Sequence, residues 1–89
     1  MKKRNSIPNK EDIVSDVCDT LRKNLRFFRR LNNYTQQDLG RILKCNYQLV
    51  GHHETGYCRP TIEILIQLSK LYGVSIDDLI LKDLTSRKY

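Results

Sequence analysis

The sequence predicts an all-α domain, a compact bundle of five helices preceded by a basic arm. Three observations carry this expectation. Apolar residues recur at intervals of three and four along most of the chain, the spacing that gathers them on one face of a helix. No stretch alternates apolar and polar residues with a period of two. Short connections built from Asn, Gly, Ser and Thr fall between the apolar stripes, at the places where helices are capped and stopped.

Residues 1–10 are polar and basic, contain Pro8, and read as a flexible arm. From Asp12 onward, Ile13, Val17, Leu21, Leu25, Phe28 and Leu31 form one stripe. It fits either one long helix or a shorter one that starts at a break near Asp19, with Thr20 as its cap; Asn32 and Asn33 end it. Thr35 caps a second helix, with Asp38 standing in for the capping-box Glu, and Leu39, Ile42 and Leu43 supply its inner face over barely two turns. After a tight Lys44-Cys45 connection, Asn46 caps a third helix from Tyr47 to about Thr55, and Gly56 ends it in the left-handed conformation. Pro60 restarts the chain; Ile62, Leu65, Leu68 and Leu71 line a fourth helix that stops at Gly73. Ser75 with Asp78 caps a fifth, which carries Ile76, Leu79 and Ile80. The chain accordingly divides into an N-terminal extension (1–19), a helical domain (20–82) and a C-terminal tail (83–89).

With 89 residues, 39% of them hydrophobic, there is material for one modest core. The formal net charge of +6 points to an anionic partner. Its distribution is uneven: residues 1–31 carry nine Lys/Arg against four Asp/Glu, residues 32–60 three against two, and residues 61–89 four against four. Cys18, Cys45 and Cys58 form no CxxC pair and are odd in number, which argues against a disulfide framework. His52 and His53 lie between two of them, but the usual zinc spacings are missing and adjacent helical side chains point about 100° apart, so neither a metal nor any other cofactor is expected. No apolar run approaches a membrane span of about 20 residues, and the first ten residues lack the apolar stretch of a signal peptide; a cytoplasmic protein is expected. Paired carboxylates, a nucleophile beside a base and a phosphate loop are all missing, so an enzyme is not.

The second and third helices, TQQDLGRIL and NYQLVGHHETG around KC, have the proportions of a helix-turn-helix, in which one helix braces another that enters the major groove. Residues 21–80 resemble the phage-repressor family of such domains, which includes Cro, lambda repressor and the XRE-type regulators. The resemblance rests on YTQQDLG (residues 34–40) and on Val50, Glu54 and Gly56 at the family's I-x-x-x-E-x-G spacing. It continues through Arg59-Pro60-Thr61 and the closing run from Leu71 to Leu79. What it implies is a lambda-repressor-like bundle acting as a sequence-specific transcriptional regulator, a repressor, that reads double-stranded DNA with helix 46–55.

By the same resemblance, Tyr47, Gln48, Gly51 and His52 take the base-contacting positions, with Gln48 suited to bidentate pairing with adenine. Gln36, Arg29, Lys44, Asn46 and Arg59 take the phosphate-contacting ones, with Arg41 as an addition, and Arg29 also forms a structural ion pair with Glu54. The sequence departs from the family at Gly51, in mid-helix, at Lys44, which replaces the usual turn glycine, and at His53, which takes an apolar position and reads as a packed histidine. A homodimer on a partly palindromic operator is expected. It would form through the fifth helix and its tail, where Ile76, Leu79, Ile80, Leu81 and Leu84 offer more apolar surface than a two-turn helix can bury; the stripe at Ile13 and Val17 is the alternative. The competing expectation is an antitoxin or protein-interaction module of the same fold, with a protein partner at the N-terminal extension.

Overall fold

The computed structural model of the chain describes residues 10–85, with side chains from residue 17 onward. Among these residues there are five α-helices and no strand: α1 (Lys10–Leu31), α2 (Gln36–Leu43), α3 (Tyr47–Thr55), α4 (Ile62–Tyr72) and α5 (Ile76–Leu81). Of the two readings of the first stripe, the single helix is the one present. α1 runs unbroken for 22 residues, so Thr20 is an interior residue rather than a cap. The boundary expected at residue 19 therefore falls inside a helix. Residues 1–9 of the basic arm, the side chain of Ile13 and residues 86–89 of the tail lie outside the described residues.

Local chemistry sets the helix ends. α1 closes where Asn33 turns to φ +61° and Tyr34 N–H donates to the Arg29 carbonyl at 3.0 Å. Asn is among the few non-glycine residues that adopt this left-handed conformation readily. At α2 the capping box is complete: Asp38 N–H donates to Thr35 Oγ1 at 3.0 Å, and Thr35 N–H donates back to Asp38 Oδ2 at 2.9 Å. Asn46, Thr61 and Ser75 cap α3, α4 and α5 in the same side-chain-to-backbone manner.

The core is Leu21, Leu25, Phe28, Leu39, Leu43, Val50, Leu65, Leu68, Leu79 and Leu84, all buried. α2 packs on α3, α1 packs against both α3 and α5, and α4 packs against α5. Three of the apolar stripes are narrower than their spacing indicates. Leu31, Ile42 and Ile62, expected to face inward, are 43%, 42% and 57% exposed. All three lie in the first or last turn of a helix.

The expected apolar surplus at the C-terminal end is largely absorbed. Leu79 and Leu84 are 0% and 1% exposed, so the folded unit extends past residue 82. Asn24, fully buried in mid-α1, is the cause. Its Nδ2 donates to the carbonyls of Leu79 at 2.8 Å and Lys82 at 2.7 Å, and its Oδ1 accepts from Leu84 N–H at 2.9 Å. One side chain thus satisfies backbone groups that α5 leaves open at its end, and in doing so turns Leu84 back into the core.

Candidate nucleic-acid interface

The elbow between α2 and α3 depends on close backbone approach. A Cβ on Gly40 would stand 3.0 Å from the Cys45 carbonyl oxygen and 3.1 Å from Tyr47 Cα, so a larger residue would push the helices apart. Lys44, in place of a turn glycine, takes φ +58°, and its N–H bonds back to the Arg41 carbonyl at 3.2 Å. The turn therefore keeps the left-handed residue that a glycine would supply, at a steric cost that a lysine carries.

Placed by this elbow, α3 presents two faces. Val50, His53 and Glu54 are buried. Tyr47, Gln48, His52 and Thr55 are exposed, and with the half-buried Gly51 they occupy an arc of about 140° at 100° per residue. The four residues expected to contact bases thus share one face, although Gly51 sits deeper than the others. A Cβ there would meet the Gln36 amide at 3.5 Å, ordinary van der Waals distance, so an alanine fits.

Behind that face lies a charged brace. Arg29 Nε donates to Glu54 Oε2 at 2.6 Å and its Nη2 to Glu54 Oε1 at 3.0 Å, while its Nη1 donates to the Tyr34 carbonyl at 2.8 Å. The side chains of Arg29 and Glu54 are 11% and 2% exposed. The hydrogen bond from Glu54 raises the Arg29 guanidinium above its ordinary pKa, against the opposing effect of burial. Arg26 approaches the same carboxylate at 3.9 Å, and Gln36 Nε2 donates to Glu54 Oε1 at 3.4 Å. Three of the five guanidinium N–H groups of Arg29 are engaged inward, which leaves two at a nearly covered side chain for any phosphate. Arg29 is therefore first a support for α3.

The remaining predicted phosphate contacts lie at the ends of α3. Asn46 spends its Oδ1 on the cap, accepting from Gln48 N–H at 2.8 Å, and keeps its amide donors for an external acceptor. Lys44 is exposed beside it, and Arg41 is paired with Asp38 at 2.6 Å on the surface. At the other end Gly56, at φ +83°, turns the chain, and Arg59 Nε donates to Cys18 Sγ at 3.1 Å. Cys18 thereby holds Arg59 toward α1.

His53 is buried as its apolar position implied. Burial, reinforced by the neighbouring His52 and opposed by Glu54, lowers its pKa from the usual 6.5. Sequence reasoning missed Arg26 beside Glu54 and two further residues of this region. Cys18 lies 41 residues from Arg59, a separation that no local pattern spans. Tyr57 is 79% exposed, and its ring packs on His52 with centroids 4.7 Å apart; the five-residue spacing across Gly56 was the available signal.

Among the described residues no helix is long and apolar enough to cross a membrane. The chain is 30% identical over 59 residues to an uncharacterised HTH-type transcriptional regulator of Methanocaldococcus jannaschii, a match that covers 66% of this chain and 89% of that protein. It is 35% identical over 69 residues to the HTH-type transcriptional regulator ImmR of Bacillus subtilis, covering 78% of this chain and 54% of ImmR. No solved structure matches it. A family model described as helix-turn-helix matches residues 25–79, the span that holds α2, α3 and the Arg29–Glu54 brace. The chain belongs to this helix-turn-helix family, in its XRE-type branch.

Proposed function

We propose that this chain is a sequence-specific regulator of transcription, a repressor, that lays α3 in the major groove of double-stranded DNA. The observation that carries the reading is the single exposed face of α3, with Tyr47, Gln48 and His52 outward and the Arg29–Glu54–Gln36 network fixing the helix from behind. A helix held that rigidly presents its side chains to base edges at little further ordering cost. Gln48 reads a base, the amide of Asn46 and the charges of Lys44 and Arg59 grip phosphates on either side, and Gln36 bridges the two tasks. The two relatives named as transcriptional regulators support the regulatory role. Bound across a promoter, the domain blocks it by occupancy, which makes repression the inferred outcome. We further propose that it acts in the cytoplasm.

Fluorescence anisotropy with a selected duplex and a random duplex tests this. Log affinity should fall linearly with log salt, at a slope of about −0.9 per phosphate neutralised. Gln48→Ala should cost about 1–3 kcal/mol on the selected duplex and almost nothing on the random one, whereas Arg59→Ala should weaken both alike. Undetectable binding to any duplex at low salt would sink the reading and favour a protein-interaction module of the same fold.

A further inference from the structure

The loop after α3 is fastened to one residue of the proposed reading face. Gly56 reverses the chain in the left-handed conformation, and Cys58 N–H donates to the His52 carbonyl at 3.4 Å. Between these two anchors Tyr57 is brought back along the last turn of α3, and its ring lies tilted at 48° against the His52 imidazole. Tyr57 is 79% exposed, so burial in the folded core does not explain its place. What it touches is a side chain on the proposed reading face. An unsupported exposed histidine samples several rotamers, while one held against a ring whose own backbone is pinned on both sides samples fewer.

We infer that Tyr57 is a positioning residue for recognition: it holds the His52 imidazole in the orientation that reads a base pair. The inference rests on the DNA-binding reading above. It assigns the loop after α3 a part in sequence discrimination, beyond the phosphate grip proposed for Arg59. The ring carries the effect and the hydroxyl does not.

The test uses the full chain and starts by selecting a preferred duplex from a randomised library. Affinities are then measured on that duplex and on its single-base-pair variants for the wild type, His52→Ala, Tyr57→Ala, Tyr57→Phe and the double alanine variant. Tyr57→Ala should relax preference at the same base pair as His52→Ala, by about two- to tenfold, the range expected for releasing one ordered side chain. The double variant should lose no more than His52→Ala alone, and Tyr57→Phe should keep wild-type preference. Thermal melts of Tyr57→Ala should match the wild type, since so exposed a ring contributes little to folding. Loss of preference at a different base pair, additive losses, or a Tyr57→Phe variant as impaired as Tyr57→Ala would overturn the inference while DNA binding stood. If the wild type selects no duplex at all, the DNA-binding reading fails, and this inference with it.

Discussion

Glu54 sits 2% exposed between two arginines and a glutamine, and its removal separates support from contact. Breaking a buried pair strands the partner charge, and Glu54→Ala should cost about 3 kcal/mol in urea unfolding. A double-mutant cycle with Arg29→Ala should show strong coupling, because the second change removes the stranded guanidinium. Additive losses would mean that the two residues act independently, against the geometry. His53 gives the residue scale its pH signature. Burial lowers its folded-state pKa below the 6.5 of the unfolded chain, so between the two values the unfolded state binds more protons and stability rises with pH. The stabilising contribution is complete above about pH 6.5 and is lost as the pH falls from there through the folded-state pKa. Melting temperatures taken down from neutral pH should drop across that window in the wild type and drop less in His53→Leu.

At the scale of the element, the starts of α2 to α5 and the stops of α1 to α4 are written within a few residues, but the segment that follows α5 is held by Asn24 in α1. Asn24→Ala would leave the carbonyls of Leu79 and Lys82 and the amide of Leu84 without their partner. We expect a loss of about 3 kcal/mol, since each buried unsatisfied group costs about 1–3 and water would reach some of them. Hydrogen exchange should show the Leu84 amide losing protection first. Faster exchange spread evenly over α1 would argue instead that Asn24 matters to α1 itself. The brace and the elbow act at the same scale: Gly40 lets α2 and α3 close, and Glu54 then fixes α3 against α1.

For the whole molecule, the proposed assembly is a two-fold dimer that sets two α3 helices about 34 Å apart on successive turns of DNA. A single reading helix contacts too few base pairs to single out a site, and a second copy multiplies the discrimination. With Leu79 and Leu84 in the core, the exposed apolar residue left on α5 is Leu81, at 69%, while Ile62 and Ile66 lie one turn apart on α4 at 57% and 40%. Leu81→Asp should therefore shift sedimentation from dimer to monomer and weaken binding to a palindromic duplex far more than to a half-site, with the melting temperature of the isolated domain nearly unchanged. A wild type that sediments as a monomer and binds duplex one-to-one would rule out the dimer and leave the helix-turn-helix in place.

What the sequence determined by itself was whatever depends on neighbours a few residues apart. The Thr35–Asp38 box, the Asn46 and Ser75 caps, the stops at Asn33, Gly56 and Gly73, and the order of the five helices are all of this kind. The run at 34–40 and the spacing of Val50, Glu54 and Gly56 likewise carried the family resemblance, and that resemblance implied the residues of the outer face. Tertiary structure alone decided which members of each stripe are covered, leaving Ile42 and Ile62 outside while drawing in Leu84. It also made Asn24, a polar residue in the middle of a long helix, the clamp for a segment 60 residues away, and brought Cys18 to Arg59 across 41. The physical reason is that a cap or a turn is satisfied by the backbone beside it, whereas burial and long-range hydrogen bonds depend on which helix arrives opposite. No periodicity records that arrival, because it follows from the packing of all five helices together.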